Sequence, residues 1–188
     1  MATQVIKTIR ASGGDYSTLS SFLSAVPSDL VAVDEQWVAD CYNDWPSGLV
    51  ENITINSRTT DTTRNIVIRG SDSDGTEGPS RPNGIPGNGF YLVSTLNGTA
   101  ITVKDKNTVI DGIGVKSNNT TLTRTAIAIA IAKTDSTSRL EVKNCAIWSL
   151  SAAANSITIG YNDRVPVFIY NNYLFNPFDY FLGKKVKI

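Results

Sequence analysis

The side chains that could perform acid–base chemistry in this 188-residue chain are carboxylates, arginines, lysines and tyrosines, because the sequence contains no histidine. Its absence excludes every histidine-dependent catalytic triad and removes the commonest zinc ligand. Hydrolysis by two carboxylates and an arginine needs all three on one face of neighbouring strands. Asp111, Arg69 and Glu141 come nearest to this pattern. We interpret them as solvated structural residues and predict no catalytic residue.

One acidic stretch is similar in composition to part of a calcium-binding loop. SDSDGTEG places Asp72, Asp74 and Glu77 around Gly75. A calcium loop supplies about six to eight oxygen ligands at fixed offsets, and the remaining ligands are missing here. We therefore predict a solvated turn, with no metal site and no cofactor.

Aromatic residues alternate with carboxylates in VDEQWVADCYNDW, residues 33–45. Such a combination can form a platform for a sugar, but we favour structural packing of Trp37, Tyr42 and Trp45. A cluster of basic residues follows in the sequence, for which we expect local salt bridges: Arg58, Arg64 and Arg69.

The overall charge disfavours two classes of partner. Lysine and arginine together number 17, as do aspartate and glutamate, so no net field attracts the chain to nucleic acid or to an anionic membrane. No apolar run approaches the ~20 residues of a membrane span. We expect a soluble protein made in a reducing compartment, with Cys41 and Cys145 as buried free thiols.

Only one stretch has a helical pattern. In GGDYSTLSSFLSAVPSDL, Asp15 or Ser17 is the expected N-cap and Pro27 the expected end. The apolar residues at helical spacing between them are Leu19, Phe22, Leu23 and Val26. The rest of the chain, from LVAVDEQWVADCY to VPVFIYNNYLFN, consists of short β-branched runs separated by Gly, Asn, Asp and Ser. This pattern predicts an all-β chain.

Three of these runs repeat one another. VIDGIGVKS, EVKNCAIWS and FIYNNYLFN align with Ile110, Val142 and Ile169 in one column. Two residues later a second column holds Gly112, Asn144 and Asn171. Gly and Asn tolerate the left-handed backbone conformation, so this column predicts a corner between two strands of a stacked coil.

The stretch RTAIAIAIAK, residues 124–133, raises the question of what covers its second apolar face. We expect the isoleucines to fill the coil interior and the alanines to form a flat, uncharged outer face that suits another protein surface. Trp148 would extend this patch, and the aromatic tail would close the stack or contact another subunit. The predicted interface residues are Ala126, Ala128, Ala130, Ala132, Trp148, Phe178, Tyr180 and Phe181. Cover by the loop 71–88 is the alternative.

A resemblance to a known family adds to this interpretation. GGDYSTLSSFLSAV, LVAVDEQWVADCYND, GLVENITINS, RNIVIRGSD and GIPGNGFYL resemble the N-terminal cap and first coil of right-handed parallel β-helix proteins of bacteria and phages, in the pectate-lyase-like superfamily. The resemblance runs from about Gly13 to Asn176. It implies one domain over 1–188, with a helical N-terminal cap at 1–30, about four coils at 31–176 and a tail at 177–188.

The resemblance and the apolar strand together favour a non-catalytic assembly protein. The expected function is a bacteriophage virion component, such as a capsid decoration (cement) protein that sits as a homotrimer on the major capsid protein or another virion protein. Its expected location is therefore the virion, after synthesis in the host cytoplasm. The alternative is a β-helix that binds or cleaves a polysaccharide, as tailspikes and lyases do.

Overall fold

The computed structural model describes eight segments of the chain, and in them the protein is strand-rich with parallel sheets. The described residues are 1–71, 81–82, 88–95, 98–117, 129–131, 139–149, 157–159 and 167–175. The predicted all-β class is confirmed. Neither helix in these segments is long and apolar enough to cross a membrane.

Fifteen strands lie within the described segments. In chain order they are β1 (Thr3–Ile9), β2 (Glu35–Cys41), β3 (Leu49–Val50), β4 (Ile53–Ile55), β5 (Ile66–Gly70), β6 (Tyr91–Val93), β7 (Ile101–Val103), β8 (Thr108–Asp111), β9 (Gly114–Ser117), β10 (Ile129–Ile131), β11 (Leu140–Lys143), β12 (Ala146–Ser149), β13 (Ile157–Ile159), β14 (Val167–Tyr170) and β15 (Tyr173–Phe175).

The strands form three sheets, and every pairing in them is parallel. The six-stranded sheet has the order β1-β2-β5-β8-β11-β14, the five-stranded sheet β15-β12-β9-β6-β3 and the four-stranded sheet β13-β10-β7-β4. From β2 onward the chain visits the six-, five- and four-stranded sheets in that order and then returns to the first. Each time the chain returns to a sheet, it adds a strand beside the strand that it formed there in the preceding round. Parallel neighbours are therefore joined through the other two sheets and not by hairpins.

The predicted repeat register is confirmed residue by residue. Val142 pairs with Ile110 on one side and with Ile169 on the other, as the sequence alignment requires. Ile147 likewise pairs with Val115 and with Leu174 in the five-stranded sheet. The intervals between similar runs in the sequence therefore correspond to one round through the three sheets.

The core consists of apolar rows that run across the strands. In the six-stranded sheet, the pairing of neighbouring strands stacks four fully buried residues: Ala39, Ile68, Ile110 and Val142. The five-stranded sheet adds Leu92, Val115 and Ile147, and the four-stranded sheet adds Ile55 and Val103. Because side chains alternate between the faces of a strand, one face of each sheet supplies this core and the other faces outward.

The predicted helix forms, with a different N-cap. α1 spans Leu19–Ala25, and its buried residues are Leu19, Phe22 and Leu23, as expected. The N-cap is Thr18, whose side chain accepts a hydrogen bond from the backbone N–H of Ser21. The prediction of Asp15 or Ser17 was therefore wrong. Asp15 instead accepts a bond from the backbone N–H of Thr8, which fixes the end of β1.

Two elements differ from the sequence-based expectation. The first half of LVAVDEQWVADCY is not strand but a second helical turn, α2 (Leu30–Val33), which Asp29 caps at its start. It ends at Asp34, whose φ of 55° is left-handed. The N-terminal residues assigned to a helical cap include β1, which pairs along its whole length with β2. Tertiary pairing thus overrides the weak local pattern of MATQVIKTIR.

The corner column behaves as predicted. Gly112 has φ of 61°, and Asn144 and Asn171 both have φ of 55°. The amide Nδ2 of Asn171 donates to Oδ1 of Asn144 at 2.6 Å, and Nδ2 of Asn144 donates to Asp111 at 2.7 Å. Each asparagine therefore tolerates the corner conformation and also links successive rounds of the chain through its side chain.

Replacing Asn144 with valine should lower the free energy of unfolding by about 1–2 kcal/mol, because a β-branched residue is strained at positive φ and both side-chain bonds are lost. Asn144→Gly is the matched control, since glycine keeps the backbone conformation and loses only the side-chain bonds. Urea unfolding of both variants measures the difference. Equal losses for the two variants would show that backbone strain contributes nothing at this corner.

Candidate functional site

The structure brings the three candidate catalytic residues to one surface. Arg69 and Asp111 are direct partners in the register of β5 and β8, and Glu141 lies on β11, beside β8. All three are on the outward face of the six-stranded sheet, since the residues that alternate with them are buried. We call this surface the outer face.

Each charged group of the outer face already has an opposite charge beside it. Nε of Arg69 lies 2.9 Å from Oδ1 of Asp40, and Asp40 is almost fully buried. Nη2 of Arg81 lies 2.8 Å from Oδ1 of Asp111, and Nζ of Lys143 lies 3.9 Å from Oδ2 of the same residue. The result is an alternating row of opposite charges across neighbouring strands, in which the side chains pair with one another.

Glu141 is the most enclosed of the three candidates. Its side chain is 9% exposed and lies between Nη2 of Arg139, at 2.5 Å, and Nζ of Lys143, at 3.1 Å. Burial alone would raise the pKa of this carboxyl, but the hydrogen bond from Lys143 and the two positive charges together hold the pKa below its ordinary value. Glu141 is therefore ionised at neutral pH and does not serve as a proton donor there.

A small cavity opens on the outer face next to Glu141. Its volume is about 220 Å³. The lining residues are Thr62, Asn65, Asn107, Val109, Arg139 and Glu141. Asn65, Asn107 and Arg139 each stand directly before a strand of the six-stranded sheet. The cavity thus follows the edge where the chain enters that sheet.

The repeat in the sequence carries a signal for this cavity, which lies outside the pattern of the candidate catalytic residues. Asn65, Asn107 and Arg139 occupy one column of the repeat, three residues before Ile68, Ile110 and Val142 respectively. When polar residues recur at a fixed offset from a buried column, they are expected to lie along the same edge of the sheet. Arg81 has no such signal, because it reaches Asp111 across 30 residues of sequence.

The aromatic and basic residues of the early segments mostly pack and pair, as expected. Trp37 packs against Phe22 with 5.9 Å between ring centres, and Trp45 packs against Phe90 at the same distance. The predicted packing of those two tryptophans is confirmed. Arg10 lies over the ring of Tyr42 at 4.3 Å.

Two of the three clustered arginines form the expected salt bridges. Arg64 pairs with Asp61 and with Asp34, and Arg69 pairs with Asp40. Arg58 instead donates to the backbone carbonyls of Asn56 and Leu23, so the salt-bridge prediction was wrong for this residue. The bond to Leu23 ties the segment that follows β4 to α1.

Both cysteines are buried free thiols, as predicted. Burial raises the pKa of the Cys41 thiol well above its usual range and raises the pKa of Cys145 to about 12. Because the thiolate is the nucleophile, neither side chain is a nucleophile at neutral pH. The described residues hold no group of three potential metal ligands, and the acidic stretch 72–78 lies outside them.

Most of the predicted alanine interface lies outside the described residues, namely Ala126, Ala128, Ala132, Phe178, Tyr180 and Phe181. Most of the loop 71–88, its alternative cover, also lies outside them. Ala130 is described within β10, where it pairs with Thr102, while Ile129 and Ile131 pair with the buried Ile101 and Val103. The interface remains a prediction.

Trp148, the other predicted interface residue, is described on β12. It is 6% exposed, and its ring centre lies 5.5 Å from that of Tyr91. A Cβ atom on Gly114 would lie 2.5 Å from Cβ of Tyr91 and 3.2 Å from the Trp148 ring, so glycine permits this close packing. In a single chain Trp148 contributes little exposed surface.

No protein-family model matches the chain, and no curated protein or solved structure is significantly similar to it.

Proposed function

We propose that this chain is a right-handed parallel β-helix with an N-terminal cap and that its function is structural, through contact with other proteins and without catalysis. The fold proposal is supported by three parallel sheets that the chain visits in a fixed order. Right-handed crossovers are the rule between parallel strands of one sheet. α1 is the proposed cap, because it carries three buried apolar residues at the β1 end of the stack.

The observation that carries the functional proposal is the pairing of the outer-face carboxylates. Asp40, Asp111 and Glu141 each have a cation within 3.1 Å. A catalytic carboxylate pair needs one group that is free to accept a proton and another that is free to donate one. Glu141 and Asp111 each lie near two cations. This arrangement suits a rigid surface better than acid–base catalysis.

The short stack supports the same proposal. Within the described residues, the six parallel strands of the six-stranded sheet span about 24 Å at ~4.8 Å spacing. An enzyme that cleaves a polysaccharide along the stack needs a longer groove for several sugar units. The size of the outer face therefore suits contact with a protein more than processing of a polymer.

The more specific part of the proposal is a bacteriophage virion component, such as a capsid decoration protein that acts as a homotrimer. It rests on the resemblance to β-helix proteins of bacteria and phages and on the uncharged alanine strand. Light scattering is expected to give a mass three times the 20.3 kDa of one chain.

Incubation with pectin, alginate or capsular polysaccharide is expected to release no reducing ends or unsaturated products. Polysaccharide turnover by the unaltered protein that is lost in the Asp111→Asn variant would contradict the proposal.

Replacing Ala128 with lysine should dissociate the oligomer while the chain stays folded, because the change buries an unpaired charge in a close contact. Ala25→Lys is the matched control, since Ala25 is an exposed residue at the end of α1. Sedimentation velocity measures the mass, and circular dichroism confirms the fold. An Ala128→Lys protein that remains fully oligomeric would remove the alanine face from the proposed interface.

A further inference from the structure

β1 is an edge strand of the six-stranded sheet, with β2 on one side only. The backbone N–H and C=O groups of successive residues in a strand point to opposite sides. Ile9 faces β2, because its carbonyl accepts a hydrogen bond from the N–H of Tyr42, the residue after β2. The even-numbered residues of β1 therefore point their backbone groups away from β2. They are Gln4, Ile6 and Thr8.

The chain itself covers this edge at Thr8. The N–H of Thr8 donates to Oδ2 of Asp15 at 2.9 Å, and its carbonyl accepts from the N–H of Tyr16 at 3.1 Å. The carbonyl of Tyr16 accepts from the N–H of Arg10 at 3.0 Å, so Tyr16 forms a parallel bridge opposite Ile9. The chain thus adds one residue to this edge in the orientation of a parallel strand.

Gln4 and Ile6 remain open to an additional strand. Among the described residues, neither has a backbone partner on the side away from β2. Both residues are exposed, and Ile6 is 47% exposed. We call the backbone N–H and C=O groups of Gln4 and Ile6 the free edge. Unpaired groups of this kind are a template for a further strand.

A row of amide side chains ends at the free edge. Nε2 of Gln4 donates to Oε1 of Gln36 at 2.7 Å, and Nε2 of Gln36 donates to Oδ1 of Asn65 at 2.9 Å. Each amide in this row donates its N–H to the next one and accepts with its oxygen. Oε1 of Gln4 can therefore accept a hydrogen bond from one more amide beside it.

A second row, on the outer face, is apolar and also ends at the free edge. The register joins Ile6, Val38, Val67 and Val109 in this order. A β-branched residue beside Ile6 would extend the row, because cross-strand neighbours of this type pack well on a pleated surface. The segment that fits both rows therefore has glutamine or asparagine beside Gln4 and valine or isoleucine two residues later.

We propose that the free edge binds an extended segment of a partner protein as an additional parallel strand of the six-stranded sheet. The inference rests on the proposed function through contact with other proteins, for which it names one contact. In this orientation the partner residue opposite Val5 donates to the carbonyl of Gln4 and accepts from the N–H of Ile6. Tyr16 makes the corresponding two bonds opposite Ile9.

A second copy of β1 fits this arrangement less well. Parallel addition needs backbone groups from the residues opposite Thr3, Val5 and Lys7, and in an in-register copy those groups already face its own β2. A shift of one residue brings Thr3 or Val5 beside Gln4, which is not an amide. An antiparallel copy reverses the order of Gln4 and Ile6, so it extends at most one row. The free edge therefore suits a different chain.

The experiment uses the full chain labelled with ²H and ¹⁵N and the peptide acetyl-Thr-Gln-Thr-Val-Thr-amide, whose glutamine and valine match Gln4 and Ile6. At about 5 mM, the peptide is expected to shift the amide signals of Gln4 and Ile6 and to slow their hydrogen exchange. Methylating the N–H of the middle threonine should weaken binding at least about tenfold, because this N–H donates to Gln4. Methylating the valine N–H should change binding less than about twofold, because it points away from β1.

Ile6→Pro tests the same contact from the side of the protein. The N–H that it removes points away from β2, so β1 keeps its pairing and proline is tolerated there. Peptide binding should weaken at least about tenfold. Val50→Pro is the matched control and should leave binding unchanged. Val50 is 59% exposed on the edge strand β3, and its N–H points away from β6, since Glu51 donates to Val93 on β6.

Circular dichroism verifies that both variants are folded, and the methylated peptides keep the test decisive if Ile6→Pro does not fold. Three results would overturn the inference: no change at Gln4 and Ile6, stronger weakening by methylation of the valine than of the middle threonine, or equal weakening by Ile6→Pro and Val50→Pro. A mass that falls by half in Ile6→Pro would also overturn it and make a second copy the occupant.

Failure of the proposed function has a different signature, namely polysaccharide turnover or a monomeric mass. A trimer that ignores the peptide contradicts this inference alone.

Discussion

An Ile110→Ala protein should lose about 2–5 kcal/mol of its free energy of unfolding, the largest effect we expect for a single truncation. Ile110 is 0% exposed on β8 and stands in the buried row between Ile68 and Val142. Strands on both sides are fixed by backbone hydrogen bonds, so the sheet cannot move inward to fill the space. The lost contacts and the remaining cavity both destabilise the fold. Denaturant unfolding followed by circular dichroism measures the loss.

Val109→Ala is the matched control for this prediction. Val109 is the preceding residue on β8 and is only partly buried on the outer face. Removing its two methyl groups should cost about 1 kcal/mol, because neighbouring side chains and water can occupy the space. A loss at Val109 as large as that at Ile110 would contradict the assignment of the inner and outer faces.

The second large effect should come from Asp111→Ala, at about 2–3 kcal/mol. The substitution leaves the Arg81 guanidinium, whose side chain is only 19% exposed, without the carboxylate that lies 2.8 Å away. It also removes the acceptor of Asn144 at the corner. Partial exposure of both partners keeps the expected loss below that of a fully buried ion pair. Thermal and urea unfolding measure it.

A double-mutant cycle with Arg81→Ala isolates the ion pair. If the two side chains stabilise the protein through each other, the double variant should lose clearly less than the sum of the single losses. Additive losses would contradict the ion-pair explanation and would show that Asp111 acts only through Asn144 and the other contacts of the corner.

The repeat is predictable from sequence because two local rules coincide in it. Buried or partly buried β-branched residues recur at Ile110, Val142 and Ile169, and the residues two positions later tolerate a left-handed backbone. Each rule restricts the backbone at its own position. Their fixed spacing therefore determines which distant strands pair and in what register. The buried state of Cys41 and Cys145 follows from the same apolar runs.

The elements without such coincident signals were missed or misplaced. β1 has a polar sequence with weak alternation, and it forms because β2 offers an edge to pair with. The turn α2 has the β-branched residues of a strand, but Asp29 caps it and the left-handed Asp34 ends it. Local propensity is a weak guide where a neighbouring element supplies the hydrogen bonds.

The sequence by itself determined the strand-rich class, the register of the repeat and the conformation of its corners, since these depend on spacings of a few residues within each run. Only the tertiary structure decided what surrounds each charge. Arg81 meets Asp111, and Arg139 lies over Phe168, across about 30 residues of chain in each case. Such contacts depend on how loops and neighbouring strands meet on the outer face. The energy of two interacting charges depends on the distance between them in space, which the pattern of a sequence does not encode.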